Sequence, residues 1–302
     1  MPRINSAARR LIRSRRVQGA AMATGVAEEF ASAYVAGSDV SGAVKVADKL
    51  CSQGLLISLA YLSQTDDEAE TPAKLAEALR ELGDGAEGAE LSVKPSSLGL
   101  RDDPASAAAR LDELCSAAGE SGAVVTLEMQ GIDHYQATLD LWQKARESHS
   151  WLGITLPADI RRAERDVERI ATDGARVRLC VGSYPVPKSL GYRTEVEKFC
   201  ALVRNIRTAM EGDAYTMVAS HDPTIIAIAQ DLARRNGITQ EGFEFQMFHG
   251  IRPLEQRRLT DIGFRSRTYL PFGPAWFEYL STKIAARPRD AFSYLRAIAD
   301  KR

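Results

Sequence analysis

The feature that most constrains the fold is a regular alternation of short strand-like runs with longer stretches of helical period. Eight apolar, β-rich runs occur, over residues 55–62, 90–96, 124–129, 152–157, 177–184, 216–221, 243–250 and 267–273. Turn or polar residues bound each run, and the stretches between them repeat apolar residues every three or four positions. Eight strand–helix units in about 250 residues predict a (β/α)8 barrel, because open doubly wound sheets more often have fewer strands.

The chain divides at the start of the first strand. Residues 1–50 have a helical pattern throughout, and we expect them to form an N-terminal helical extension packed on a barrel of residues 51–302. With 302 residues, 45% of them hydrophobic, the chain can bury a large core. We therefore predict a globular α/β protein.

Charge and cysteine content exclude several classes of partner. The net charge of -1 gives no electrostatic basis for binding nucleic acid. A basic cluster at residues 9–16, RRLIRSRR, leaves contact with anionic lipid open, but a solvated helix face is the favoured interpretation. No long apolar run predicts a secretory signal or a membrane span, and the four widely spaced cysteines suit reduced thiols. We expect a cytoplasmic protein.

Polar residues at the predicted strand ends are the candidates for a site, because (β/α)8 barrels carry their chemistry there. They are Lys94, Glu128, Arg178, Tyr184, His221, Asp222, Gln246, His249 and Tyr269. Each alone also fits a structural role, such as an ion pair or a helix cap. Together they predict a mouth suited to an anionic or electron-rich ligand, such as a phosphate-bearing cofactor.

A metal site is the competing interpretation of the same residues. Its ligands would be Glu128, His221, Asp222 and His249. The His-x-His pair found on the first strand of many metal-dependent barrel hydrolases is missing here, which counts against this alternative.

The motifs, taken in order, resemble those of the monofunctional, FAD-dependent proline dehydrogenases, which are (β/α)8 barrels with flavin at the strand ends. The similar segments are YVAGSDVSGAVKVADKLCSQGLLISLAYL, LSVKPSSLG, VTLEMQGIDHYQATLDLW, VRLCVGSY, ASHDPTIIAIA, FEFQMFHGIRP and RTYLPFGPAWFEYLSTKIAARP. The resemblance implies a final helix over the barrel mouth. It also implies that Lys94 and Tyr279 line the substrate pocket, Arg178 lies near the reactive N5 edge of the flavin, and His221 helps to hold FAD.

The resemblance sorts the candidate residues into three roles. Catalytic roles would fall to Lys94, Glu128, Arg178 and Tyr279, and substrate contacts to Tyr269, Thr282 and Lys283. The FAD contacts would be Pro157, Arg178, Val181, Tyr184, His221, Asp222 and Gln246.

Some family positions differ in this chain. Where the family has an arginine pair that grips the proline carboxylate, this chain has Thr282 and Lys283. An arginine can bind a carboxylate through two parallel hydrogen bonds, whereas lysine is a point charge. Other departures are Glu128 for aspartate, Pro157 for glutamine, Val181 for lysine, and AYLSQ at 60–64 for DYLGE. These changes favour a substrate other than free proline.

Three functions follow from this comparison. The leading one is a flavin-dependent oxidoreductase that removes a hydride from a C–N or N–H substrate, such as an amine, an imino acid or a hydrazine, and passes electrons to a quinone or oxygen. The second is oxidation of L-proline to pyrroline-5-carboxylate, with Lys283 as the sole carboxylate anchor. The third is a non-catalytic flavin-binding barrel.

Overall fold

Eight parallel strands close into a barrel in the order of the chain, which confirms the predicted (β/α)8 fold. The computed structural model describes residues 32–65 and 67–286, with side chains to residue 281. The basic cluster at 9–16 and the side chains of Thr282 and Lys283 therefore lie outside the described residues. The strands are β1 Leu56–Tyr61, β2 Glu90–Val93, β3 Val124–Leu127, β4 Gly153–Pro157, β5 Arg176–Cys180, β6 Tyr215–Ala219, β7 Phe243–Phe248 and β8 Arg265–Phe272.

Helices alternate with these strands, as the apolar periodicity predicts. They are α1 Val40–Cys51, α2 Glu70–Leu82, α3 Pro104–Glu120, α4 Tyr135–Ala145, α5 Ala163–Ala171, α6 Glu195–Glu211, α7 Pro223–Arg235, α8 Pro253–Asp261 and α9 Trp276–Ala286. Several start at side-chain caps that satisfy free backbone N–H groups: Asp103 caps α3, and Thr194 forms a capping box with Glu197 in α6. None of the helices in the described part of the chain is both long and apolar enough to cross a bilayer.

Alternation along each strand separates an apolar outer face from a polar inner one. Ile57 and Leu59 of β1 join the core cluster with residues of α2, whereas Ser58 between them points inward and donates a hydrogen bond to Glu90 at 2.6 Å. In β2 the apolar Leu91 joins the same cluster. The apolar core thus lies between the sheet and its helices, and the barrel interior is free to carry polar groups.

A short segment before α1 ties the last strand to the last helix. The Ala36 N–H donates to the Pro271 carbonyl at 2.9 Å, and Tyr34 and Val35 form a small apolar cluster with Leu280 of α9. Gly250, with a φ of 76°, lies close against the carbonyl of this segment's Ala33. The N-terminal segment therefore braces the roof of the barrel mouth.

Candidate functional site

A cavity of about 1420 Å³ opens at the carboxyl ends of the strands. The candidate residues with described side chains that line it are Lys94, Glu128, Pro157, Arg178, Val181, Tyr184, His221, Asp222, Gln246, Tyr269 and Tyr279. His249 is not among the lining residues; its backbone N–H bonds to the Tyr269 carbonyl at 2.9 Å. The structure thus brings together predicted residues from seven strands, or from the loops that follow them, and from α9.

Arg178 forms the floor of this cavity, and its guanidinium is turned into the barrel. The side chain extends from β5 and is almost fully buried, with the residue 5% exposed. All five of its N–H groups have acceptors, which are Gln246 Oε1 at 2.6 Å, Ser92 Oγ at 2.8 Å, Thr155 Oγ1 at 3.4 Å, Ser58 Oγ at 3.5 Å and the Glu90 carboxylate. A ligand at the mouth is therefore exposed to the positive charge of Arg178, although the N–H groups of Arg178 donate their strongest hydrogen bonds to other protein side chains.

Glu90 supplies the negative charge that faces Arg178, and strand-end reasoning missed it because it begins β2. The carboxylate is fully buried and also accepts hydrogen bonds from Ser58 and Thr126, each at 2.6 Å. Burial alone would raise its pKa, but the positive charges of Arg178 and Arg267 hold the pKa below its ordinary value. Glu90 is therefore ionised beneath the mouth at neutral pH.

A second ion pair lies deeper in the barrel. Arg267 Nε and Nη2 donate to the two carboxylate oxygens of Glu244 at 2.7 and 2.9 Å, and Nη1 donates to the carbonyl groups of Ile57 and Gly88 at 2.8 Å. Gln246 joins the two layers, since it bonds to Arg178 and to Glu244. Barrel interiors are more often filled by branched apolar side chains. This interior is instead a continuous polar network.

Glu128 and Tyr269 form a paired acid and phenol at the mouth. The Tyr269 hydroxyl donates to Glu128 Oε1 at 2.7 Å, and Ser92 donates to the same oxygen at 2.9 Å. Burial would raise the pKa of Glu128, but Lys94, together with these hydrogen bonds and Arg178, lowers it. Burial, with the neighbouring carboxylate, raises the pKa of Tyr269 well above its ordinary value. The phenol is therefore a stable hydrogen-bond donor to an ionised carboxylate.

His221 and Asp222 shape the loop between β6 and α7. The Phe248 N–H donates to His221 Nε2 at 3.0 Å, so a neutral His221 ring carries its proton on Nδ1. Asp222 caps α7 by accepting a hydrogen bond from the Thr224 N–H at 2.7 Å. Both residues line the cavity, and both also stabilise the local fold through these hydrogen bonds.

The ends of β4 and β5 form the adjoining wall, since β5 pairs with β6, and Tyr184 there is exposed by 40%. Burial of the hydroxyl region, with the charge of Glu128, raises the pKa of Tyr184 to about 12. Asp159, which the sequence did not single out, accepts a hydrogen bond from the Gly182 N–H at 2.7 Å and is itself buried. This bond joins the loops that carry Pro157 and Val181.

The charge balance of the lining differs from the expectation of a mainly cationic mouth. Among the described lining residues, the basic side chains are Lys94, Arg178, Lys198 and Arg252, with His221 in addition. The acidic ones are Asp67, Glu68, Asp102, Glu128, Asp159, Glu195, Asp222 and Glu278. Most of these acids lie in loops and on helices, which a search of strand ends does not reach. Among these acids, Glu68 is paired with Arg110 and Glu195 with Lys198. The described lining therefore has more acidic than basic side chains, whereas the floor has Arg178.

The described residues give no support to the metal alternative. Within 32–65 and 67–286, no three His, Cys, Asp or Glu side chains are grouped so as to hold a metal ion. His221 uses Nε2 as an acceptor for the Phe248 N–H, and Asp222 caps a helix.

Comparisons with known proteins agree on one family. Proline dehydrogenase 1 of Bacillus subtilis is 30% identical over 272 residues, which are 89% of this chain and 90% of that protein. Proline dehydrogenase of Deinococcus radiodurans is 28% identical over 273 residues, 87% of each chain. No family model matches the chain.

Solved structures share the fold. Proline utilization A (PutA) from Bdellovibrio bacteriovorus, inactivated by N-propargylglycine, superposes with a TM-score of 0.77 at 20% identity, covering 87% of this chain. PutA from Corynebacterium freiburgense gives a TM-score of 0.73 at 15% identity, covering 98% of this chain. The chain spans 33% and 35% of the length of these two proteins, respectively.

Proposed function

Because the chain belongs to the proline dehydrogenase family, we propose that it is an FAD-dependent dehydrogenase that oxidises L-proline to pyrroline-5-carboxylate and passes the electrons to a quinone or oxygen. The observation that carries this proposal is the extent of the similarity. A named proline dehydrogenase aligns with 89% of this chain and with 90% of its own length. Such coverage spans most of both chains, so a shared reaction is the simplest account.

The mouth also fits the proposed cofactor. Its volume of about 1420 Å³ exceeds the range of roughly 300–1,000 Å³ common for small-ligand pockets. A dinucleotide and a small substrate need such space. We assign FAD binding to the wall of Tyr184, His221 and Gln246, with Pro157, Val181 and Asp222 beside it. FAD, when bound, supplies the acceptor for the hydride that leaves the carbon next to nitrogen.

The residues on the floor and roof have roles that follow from their charges. Arg178 provides a fixed positive charge that favours an electron-rich ligand above it. Lys94 adds a second positive charge, which favours the neutral form of a substrate amine, the form able to release hydride. Glu128, whose pKa is lowered, is a poor proton acceptor and is better suited to accept a hydrogen bond from the N–H of the neutral amine. Tyr279 of α9 would pack against the substrate from above.

A second candidate is oxidation of an amine, or of a hydrazine-like N–H compound, that has no carboxylate. Thr282 and Lys283, which stand where the family has two arginines, favour it, and so does the excess of acidic groups around the described mouth. A lysine alone makes a weaker and less directional contact with a carboxylate than an arginine pair. This candidate differs from the first only in the substrate, which has no carboxylate for α9 to bind.

The experiment that tests both candidates uses a matched pair of substrates. The purified protein is reconstituted with FAD, and the visible band of oxidised flavin is followed during anaerobic addition of L-proline or pyrrolidine, the same ring without the carboxylate. Bleaching by L-proline supports the first candidate. Bleaching by pyrrolidine alone, or by a hydrazine alone, supports the second. A protein that takes up no FAD contradicts both and leaves a binding role for the barrel.

A further inference from the structure

We propose that Glu90 is a positioning residue that fixes Arg178 beneath the mouth and thereby sets the positive field experienced by a bound flavin. This inference rests on the FAD site of the proposed function but concerns a residue that lies below it. It assigns a functional role to one carboxylate in the polar interior.

The first step of the argument is geometric. The Arg178 side chain starts on β5 and reaches across the barrel to acceptors on β1, β2 and β7. Among these acceptors Glu90 has the only negative charge, and the others are hydroxyl or amide oxygens. Glu90 is itself held by hydrogen bonds from Ser58 and Thr126, each at 2.6 Å. The position of the guanidinium is therefore determined by a carboxylate that is fixed on three sides.

The second step is electrostatic. Glu90 is fully buried and Arg178 is 5% exposed, so water screens their charges little. The ionised carboxylate cancels much of the field that the guanidinium sends toward the mouth. Without it, less of the positive charge would be cancelled, since Glu128 also acts on Arg178, and the positive field at the flavin would be stronger. Because the reduced flavin is richer in electrons than the oxidised one, a stronger positive field favours reduction.

The barrel contains a matched control for this argument. Glu244 is also fully buried and is paired with a single arginine, Arg267, through two hydrogen bonds. It makes no hydrogen bond or ion pair with Arg178 itself, but Gln246 bonds to both Arg178 and Glu244. Glu244→Gln, like Glu90→Gln, removes one negative charge from the barrel interior. It does so in the layer further from the mouth. A general loss of rigidity would affect both variants equally.

The test is the reduction potential of the bound flavin, measured anaerobically against a reference dye without amine substrate. For Glu90→Gln we expect a potential more positive by about 30 mV, which is a tenfold change in the ratio of reduced to oxidised flavin for a two-electron couple. Glu90→Asp keeps the charge but withdraws it from Arg178, and we expect a smaller rise. For Glu244→Gln we expect a rise clearly smaller than that of Glu90→Gln, because Glu244 lies one residue further from Arg178, beyond Gln246. The aspartate variant decides the question if the glutamine variant does not fold.

Two results would overturn the inference: no rise in either Glu90 variant, or an equal rise in Glu244→Gln. Because the potential is measured without substrate, the result is separate from the proposed function. A protein that binds FAD but oxidises neither amine refutes the proposed function, and the potentials still test Glu90. A protein that oxidises L-proline, with potentials unmoved by the Glu90 variants, refutes only the role of Glu90. Failure of the wild-type protein to bind FAD refutes both.

Discussion

Replacement of Tyr269 by phenylalanine tests whether the hydrogen bond from Tyr269 to ionised Glu128 stabilises the folded protein. The change removes one hydroxyl, which donates to Glu128 Oε1 at 2.7 Å, and leaves the ring in place. A hydrogen bond to a charged group contributes about 1.5–3 kcal/mol net. We expect the free energy of unfolding to fall by that amount at neutral pH.

The pH dependence of this loss follows from the same bond. The folded-state pKa of Glu128 lies below its ordinary value of 4.5, so its contribution is fully present above that pH and is lost as the pH falls through the folded pKa. The hydrogen bond stabilises the ionised form, so Tyr269→Phe should raise the pKa of Glu128. The difference between wild type and variant should therefore shrink below about pH 4.5.

Urea unfolding between neutral and acid pH measures both effects, and Tyr192→Phe is the matched control. The Tyr192 hydroxyl donates to Glu164 at the same distance of 2.7 Å, but Glu164 is partly exposed. Water screens that site, and we expect the control to lose less than about 1 kcal/mol. The reasoning is wrong if the two variants lose equal stability, or if the loss in Tyr269→Phe is independent of pH.

Three further predictions concern the interior, the bracing segment and the roof. Glu244→Gln should cost about 3–5 kcal/mol in urea unfolding, because it leaves a buried arginine without its counter-charge; a loss below 1 kcal/mol would contradict this. Gly250→Ala should lower the melting temperature and speed hydrogen exchange in residues 32–37, because the added methyl group would meet the Ala33 carbonyl. Gly174→Ala is the control: Gly174 is also left-handed but lies in open space, so its replacement should not affect that segment. The double variant Thr282→Arg with Lys283→Arg should raise kcat/KM for L-proline by up to about a hundredfold and leave that for pyrrolidine unchanged; an unchanged value for L-proline would show that the pocket differs more deeply.

The sequence predicts the barrel well because its evidence is local. Each strand is an apolar run with turn residues at its ends, and each helix shows its own period. The errors lie at the ends of elements. The run at 177–184 is predicted to be one strand, but β5 ends at Cys180, since the following residues leave the sheet to form the wall with Tyr184. β8 begins at Arg265, two residues before the predicted start, because its first residues pair with β7.

The site is harder to predict from the sequence, because residues that contact each other there are far apart along the chain. Glu90 reads as one polar residue at the start of an apolar run, and its partner Arg178 is 88 positions away. Nothing in the pattern joins them. The acidic rim was missed for another reason, since residues such as Asp67, Asp102 and Glu195 come from loops and helix starts rather than from strand ends. A search restricted to strand ends therefore overestimates the positive charge of the mouth.

The floor and the roof of the mouth differ in how freely they can change. Arg178 and Glu90 are buried and hydrogen-bonded on every side, so a substitution at either leaves a buried charge unpaired and costs several kcal/mol. The roof helix α9 is held by a small apolar cluster around Leu280, and exposed polar positions of a helix generally vary at little cost in stability. A change of substrate would therefore be made most easily on α9, where the sequence has Thr282 and Lys283 in place of the family's arginine pair, while the floor would keep the charges proposed to act on the cofactor. On this argument a family member can keep its redox chemistry and still exchange the group that it recognises on the substrate.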